Sequence, residues 1–393
     1  MEQKTKKPVL LFTSREICYY SADFFMNQMA DAFETLGYPV RLCVLDLEKD
    51  IDAQLAPYVG KSYTAVLDIN SLLPRAVVDG GAPYLEQLDA PFYNYLVDHP
   101  FYHHPGLMVP LKNYHVLCLD ENHVAYAKKY YPHLKSVDFL PLGATKALVP
   151  VPPEQKRESV LFIGTYNCAE DVYREMNELP EPFRRDDRAL IEMMLAEPSI
   201  PQEEVFRRLL LERGEELNDA EFAYRMNRMY HVDRYLRNYY REEAIRTLVK
   251  GRIPVTVIGN NWEQLKGQES RYFMIQPPVD FSMTFQKIAE YQILLNVSPL
   301  FKAGAHDRVF AAMANRTVCL TDRNAYMDAC FRDGEDVCLF SLTHMDELPG
   351  LAEELLTNRK RREKIAAAAE LEFEQKHSWL ERTKQFINLM EKE

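Results

Sequence analysis

The chain is predicted to be an α/β protein of two domains. Three observations carry that reading. Short apolar runs of strand length recur through both halves, separated by segments of helical periodicity. The length, 393 residues, exceeds one ordinary core and suits two. A stretch with Pro150, Pro152 and Pro153 separates the halves, and the same pattern restarts beyond it.

The elements follow in order. Pro8 to Ser14 reads as a buried strand, and Ser21 to Leu36 as a helix whose apolar face is Phe24, Phe25, Met29, Ala32, Phe33 and Leu36, stopped by Gly37. Further strands are expected in YPVRLCVLDL, Thr64 to Asn70, Ala90 to Asp98, His115 to Asp120 and Ser136 to Gly143. Short apolar strands alternating with helices imply a mostly parallel sheet covered on both faces. Residues 1–150 form the first predicted domain and 151–377 the second. The second domain starts with Ser159 to Asn167 and resumes with Ile253 to Trp262, YFMIQPPV, Ile293 to Pro299, TVCLTD and Val337 to Ser341. Between its first and second strands, residues 168–248 are charged and rich in Arg, Glu, Met and Tyr. Tyr224 to Leu248 has helical spacing with no Gly or Pro, so a helical insertion is expected. A packed helix pair accounts for its Tyr and Arg content; a partner surface or a homodimer contact is the other reading.

Composition bounds the function. The chain is 47% hydrophobic and 27% charged, with 47 Lys+Arg against 59 Asp+Glu and a net charge of −12. That disfavours a broad nucleic-acid footprint, which needs a basic face. The seven cysteines show no CxxC spacing and are an odd number, as in a protein with reduced thiols. The basic start, MEQKTKKPVLLF, carries too short an apolar run for a signal peptide, and no stretch reaches the ~18 residues of a membrane span. A cytoplasmic protein without a transmembrane segment is expected.

The most informative segment is FKAGAHDRVFAAMANRTVCLTD, from Phe301. A strand leads into a polar loop with Lys302, Gly304, His306, Asp307 and Arg308, then a helix and a strand. Open α/β sheets bind ligands outside the carboxyl ends of their strands. Lys302, His306 and Arg308 surround a helix start, which favours anions, so a phosphate or diphosphate is the expected guest. The alternative is a solvated basic surface.

Five segments in order, Gly259 with Trp262, Pro277 to Phe281, Asn296, Arg308, and Phe331 with Gly334 and Glu335, resemble the glycosyltransferase group-1 superfamily, and within it the branch that looks like the spore-maturation protein CgeB. The match is best from Val255 to Phe340. Leu96 to Leu107, LVDHPFYHHPGL, also looks like the amino-terminal half of that branch. The resemblance implies a GT-B fold: two Rossmann-like domains facing across a cleft, with a terminal helix, here 378–393, returning to the first domain. It implies a nucleotide-sugar donor held by the second domain, a glycan, glycoprotein or small acceptor presented by the first, and no bound cofactor or metal. One departure stands out. Where many members carry two glutamates, this chain has Ala303 and Ala311, and Arg316 stands where glycine is usual.

Sugar transfer needs charge on the leaving diphosphate neutralised, the reactants held in line and, for inversion, a base. Lys302 and Arg308 suit the first task, with Gly164, Thr165 and Tyr166 facing the same site. By the resemblance, Asn260, Trp262, Pro278 and Val279 adjoin the base of the donor. His99, with Asp98 as orienter or alternative base, lies just past a strand; capping the turn is its competing role. Ser14, Arg15 and His103 are expected on the acceptor side. The histidine spacing fits no HExxH pattern, and Asp50-Ile51-Asp52 is read as a chance match to a metal-binding Asp-x-Asp. Two rival functions stay open: a non-catalytic nucleotide- or sugar-binding scaffold, which Ala303 and Ala311 favour, and a nucleotide-sugar epimerase.

Overall fold

A computed structural model describes residues 6–78, 80–265 and 271–392. The first residues of the basic start, 1–5, lie outside the described residues. The chain divides into two compact units, Met1–Gly143 with Trp379–Glu393, and Ala144–Ser378.

In the first unit, strands β1 (Val9–Ser14), β2 (Val40–Leu45), β3 (Ala65–Ile69), β4 (Phe92–Leu96), β5 (Tyr114–Cys118) and β6 (Ser136–Phe139) form one sheet in the order β2-β1-β3-β4-β5-β6. Every pairing is parallel. Helices α1 (Ala22–Thr35), α2 (Ile51–Leu55), α3 (His104–Leu107) and α4 (Glu121–Tyr130) connect them. Strands β1, β3, β4 and β5 are buried at every residue, as apolar runs covered on both faces must be. Asp50, from the chance Asp-x-Asp, caps α2 by accepting from the Ala53 N–H.

The second unit has strands β7 (Arg157–Ile163), β8 (Val255–Ile258), β9 (Phe273–Gln276), β10 (Tyr291–Asn296), β11 (Val318–Asp322) and β12 (Cys338–Phe340). Their order is β12-β11-β10-β7-β8-β9, again all parallel. Between β7 and β8 run five helices: α5 (Ala169–Met176), α6 (Phe183–Ala196), α7 (Gln202–Arg213), α8 (Asp219–Arg228) and α9 (Tyr230–Lys250). They enclose their own core, including Leu190, Met194, Phe206, Phe222, Met226 and Leu236. A capping box between Asn218 and Glu221 starts α8, and Gly214, at φ +65°, ends α7. Helices α10 (Phe281–Ala289), α11 (Asp307–Ala314), α12 (Ala325–Cys330), α13 (Leu348–Thr357) and α14 (Arg359–Lys376) complete this unit.

The last helix, α15 (Trp379–Met390), belongs to the first unit and packs on α1. Phe386 meets Phe33 and Tyr93 edge-on, and Trp379 lies 5.6 Å from Phe25. Gly143 permits this: a Cβ there would lie 2.7 Å from the Trp379 ring. All seven cysteines are unbridged. No helix among the described residues is long and apolar enough to cross a membrane.

Candidate anion site at the switch point of the second unit

Strand order reverses between β7 and β10, because the chain leaves β7 in one direction for β8 and β9 and returns to its other side for β10. Ligands of open α/β sheets sit at such a point. Here Gly164 follows the end of β7, and β10 ends in Asn296. The turn after β7 crosses the turn after β8 backbone to backbone: a Cβ at Gly259 would fall 2.1 Å from the Gly164 carbonyl oxygen. Gly164 and Gly259 both have positive φ, +156° and +154°. The Trp262 indole donates to that same carbonyl at 2.7 Å. Trp262 is 1% exposed, wedged against Phe162, Tyr166 and Phe273. It braces the turn from beneath and offers no face to a ligand.

Above the turn lie two guanidinium groups. Arg308, in the first turn of α11, lies against the loop, since a Cβ at Gly164 would be 3.5 Å from its Nη2. Its Nη1 is buried without a hydrogen-bond partner. Arg241, from the insertion helix α9, donates through Nε to the Val297 carbonyl at 3.3 Å. Both guanidinium carbons lie over the Phe162 ring, Arg308 at 5.8 Å and Arg241 at 6.0 Å from its centroid. Burial holds Arg241 well below its ordinary range, and the like charges of Arg308 and Arg237 push it further. Burial likewise lowers Arg308, against the pull of Asp307. Arg237 is paired with Asp233 one helical turn back. Two clustered, half-buried cations cost free energy until a counter-charge arrives. An anion bound there would offset that cost.

The other loop residues hold the site's frame. His306 is the N-cap of α11, accepting from the Arg308 N–H at 3.4 Å, and its ring adjoins the Asp307 carboxylate. Burial raises Asp307, but His306 and Arg308 outweigh it and keep the carboxylate ionised. The Lys302 ammonium donates to the carbonyls of Pro299 and of Pro198, which joins α6 to α7, so it fastens the loop to the insertion. Asn324 donates to the carbonyls of Phe301 and Gly304, fixing the turn between them. Asn296 is engaged by Thr321 and Ser298, and Ser298 reaches Asp322, which burial pushes up to about 6. Tyr166 is buried and donates to Glu242 of α9 at 3.0 Å, while Thr165 is half-buried beside it. Asn260 and Pro278 are exposed and Val279 half-buried, on the turns after β8 and β9. Ala311 is buried in α11.

The first unit gathers polar side chains at its own switch point, between β1 and β3. Three non-glycine residues there have left-handed backbones: Cys18 (φ +55°), Asn70 (+52°) and Ser71 (+59°). Such strain clusters at functional sites. Asn70 donates to Asp98 Oδ2 at 2.9 Å and accepts from the Val97 N–H. His99 turns the other way. Its Nδ1 accepts from the Phe101 N–H at 3.1 Å, and its ring packs edge-on against His123 and Tyr126. The histidine that faces Asp98 is His103. Burial pushes it down to about 4, against the Asp98 charge and a hydrogen bond to the Asn70 backbone. Its Nε2 is buried without a hydrogen-bond partner, so that bond uses Nδ1. A proton on Nδ1 leaves a lone pair on Nε2, the arrangement a general base needs. Ser14 is buried and hydrogen-bonded to Glu16, whereas Arg15 is exposed, 3.9 Å from Asp23. Among the described residues no group of three or more His, Cys, Asp or Glu is placed to hold a metal ion.

Comparison with known proteins agrees with this architecture. The sequence model of the family described as glycosyl transferase-like matches residues 237–388, which include both Arg241 and Arg308. No curated protein matches. Among solved structures, sucrose-phosphate synthase of Thermosynechococcus elongatus aligns with a TM-score of 0.57 at 12% identity, over 98% of this chain and 99% of that one. The fold is GT-B. Anabaena HepE in complex with UDP and glucose aligns at 0.53 and 11% identity, over 98% of this chain and 100% of its own. S. aureus TarM aligns at 0.50 and 11% identity over 83% of this chain, which spans about half of TarM, 54%.

Arg241, Asn70 and Cys18 were not among the residues singled out by sequence. The signal for Arg241 was a four-residue spacing, Asp233, Arg237, Arg241, which marks one face of a helix. That spacing says nothing of Phe162, the ring that face meets.

Proposed function

We propose that this protein is a glycosyltransferase that uses a nucleotide-sugar donor. The observation that carries the proposal is the pair Arg241 and Arg308 over Phe162, beside Gly164, with Arg308 Nη1 lacking any protein acceptor. The donor diphosphate fits this pair. As the bond between the anomeric carbon and the phosphate oxygen breaks, negative charge grows on the leaving nucleoside diphosphate, and both guanidiniums stabilise it. They supply the charge a metal ion supplies elsewhere, so a metal-independent reaction is the corresponding reading.

On the first unit, His103 with Asp98 beside it is the candidate base for an acceptor hydroxyl, Asp98 stabilising the imidazolium that results. His99, bound to its cap, supports the wall behind. A base of this kind implies inversion at the sugar. The match over residues 237–388 and the UDP-bound HepE structure support a donor with a nucleoside diphosphate, UDP among them. The ordered motifs from Gly259 to Glu335 favour a CgeB-like member acting in glycan synthesis, and the seven unbridged cysteines favour the cytoplasm.

The test is release of nucleoside diphosphate from a panel of UDP-, GDP- and ADP-sugars, with water or added sugars as acceptor. One family of donors is expected to be consumed, with loss in both Arg308→Ala and His103→Gln. A folded protein that consumes none while still binding a diphosphate is the scaffold that Ala303 and Ala311 would favour.

A further inference from the structure

Asn70 is the hub of the polar cluster in the first unit. Its backbone N–H donates to the Tyr95 carbonyl at 3.0 Å, continuing the β3–β4 ladder. Its side-chain amide spans two successive residues. Oδ1 accepts from the Val97 N–H at 2.9 Å, and Nδ2 donates to Asp98 Oδ2 at 2.9 Å and to Cys18 Sγ at 3.1 Å. Its carbonyl accepts from the His103 ring. The turn is locked from behind. Ser71, left-handed like Asn70, exchanges two hydrogen bonds with Asn94 of β4: its N–H donates to Oδ1 at 2.9 Å, and Nδ2 donates to its Oγ at 2.8 Å. Asn94 Nδ2 also donates to the Tyr114 hydroxyl at 2.9 Å, which donates to the Gly106 carbonyl at 3.3 Å. Gly106 lies against Ser71, since a Cβ there would fall 2.9 Å from the Ser71 Cβ. The loop that carries His103 is therefore closed onto the turn that carries Asn70 by two adjoining contacts, His103 on Asn70 and Gly106 on Ser71.

We propose that Asn70 is the positioning residue of the Asp98–His103 pair, holding the carboxylate with its side chain and the imidazole tautomer with its carbonyl. Two demands meet at this position. A left-handed backbone favours glycine, asparagine or aspartate. The side chain must also offer a donor to a carboxylate and an acceptor to an N–H. Glycine meets only the first demand, and aspartate would set a second carboxylate against Asp98. Asparagine meets both. With its two ends engaged by unlike partners, the amide has one orientation, and Asp98 Oδ2 is tied to it instead of turning fully onto the imidazole. The ring then stays neutral: burial holds His103 down to about 4 against the Asp98 charge, whereas a carboxylate free to pair with it would raise it. The Nδ1 proton given to the Asn70 carbonyl leaves Nε2 as the acceptor of a proton. The bearing on transfer rests on the reading of His103 as the base; the hold on the imidazole does not.

The experiment is a pH titration of the full chain labelled with ¹⁵N-histidine, followed by NMR, with the His103 signals assigned by their loss in His103→Gln. The wild type is expected to carry its ring proton on Nδ1. Two variants are compared, Asn70→Gly and Asn70→Asp, because both residues tolerate the left-handed backbone and so guard against misfolding. In Asn70→Gly the Asp98 carboxylate is released to pair with the imidazole; in Asn70→Asp a second negative charge adjoins it. Both are expected to raise the proton affinity of His103 at least about tenfold, one pH unit. In transfer assays both are expected to lower kcat roughly 10- to 100-fold, the cost of a small misplacement, and to leave the donor KM unchanged. A merely structural role would lower the melting midpoint and leave the His103 titration where it was, and that result in both variants overturns the proposal. So does a wild-type His103 with its proton on Nε2, since the Asn70 carbonyl would then hold nothing. A titration that moves as expected, in a protein whose His103→Gln variant transfers as fast as the wild type, supports the hold by Asn70 and refutes the base reading alone.

Discussion

Replacing Arg241 by methionine should stabilise the ligand-free protein and weaken its grip on the donor. Arg241 and Arg308 both lie within about 6 Å of the Phe162 centroid, so the two charges are at most about 12 Å apart. At an effective dielectric constant of about 20 their repulsion is at least ~1.4 kcal/mol. Arg241 is half-buried, so desolvation adds only part of the several kcal/mol a fully buried ion would cost, about 1–2 kcal/mol. Against this, Arg241→Met gives up the bond to the Val297 carbonyl, about 1 kcal/mol, and the contact with the Phe162 face, about 0.5–1 kcal/mol. Methionine fills much of the same volume. The net expectation is a gain on the order of 1–2 kcal/mol, read as a higher denaturant midpoint. The same change removes a charge-assisted bond to the diphosphate, about 1.5–3 kcal/mol, or roughly a 10- to 150-fold weaker dissociation constant by calorimetry. Opposite signs in the two assays are the signature of a charge kept for its ligand. A variant that is less stable when free and binds UDP, GDP and ADP as the wild type does would refute the reasoning.

Three other outcomes are expected. Asp187 in the insertion is wholly buried, both its oxygens lack hydrogen-bond partners, and burial with the neighbouring Asp186 charge pushes it up to about 8, with the buried His231 ring 3.9 Å away. Its folded form holds a proton that the unfolded chain has released, so stability falls as pH rises from the ordinary carboxylate range through about 8, by up to about 1.4 kcal/mol per pH unit; Asp187→Asn should flatten that slope between pH 6 and 9 in urea titrations. His103→Gln should lower kcat by about 10²–10⁴ while leaving nucleotide affinity unchanged, as kinetics and calorimetry would show. Because His103 is depressed to about 4, its contribution to stability is lost as pH falls from about 6.5 through 4. Gly259→Ala should cost at least about 2 kcal/mol, since the methyl would meet the Gly164 carbonyl, and the fluorescence of Trp262, in the second unit, should shift at a lower denaturant concentration while Trp379, in the first, reports separately.

Much of the fold was legible because parallel strands buried on both faces are written as unbroken apolar runs. The run Pro8 to Ser14 contains β1 whole, and Ile293 to Pro299 overlaps β10, which starts two residues earlier and ends three earlier. The helical insertion was legible too, from a long segment without Gly or Pro. The side chains at the site were harder to read, because a residue's role there depends on which neighbour it meets. Lys302, a donor candidate by its place in the loop, spends its ammonium on two carbonyls. Trp262 braces a crossing of two backbones that only two distant glycines make possible. His99 and His103 stand four residues apart in one motif, and only the three-dimensional turn shows which of them shares an environment with Asp98. Arg241 was out of reach, since an insertion helix gives no sign in sequence of the strand it lies across.

The most direct measurement is thermal stabilisation of the wild type and of Arg308→Ala by UDP, GDP, ADP and their sugar conjugates. At a ligand concentration one hundred times the dissociation constant the native state gains about 2.7 kcal/mol. One base family should raise the wild-type midpoint, and Arg308→Ala should lose the rise while remaining folded. No rise with any diphosphate at millimolar concentration would contradict a donor site at Arg241 and Arg308.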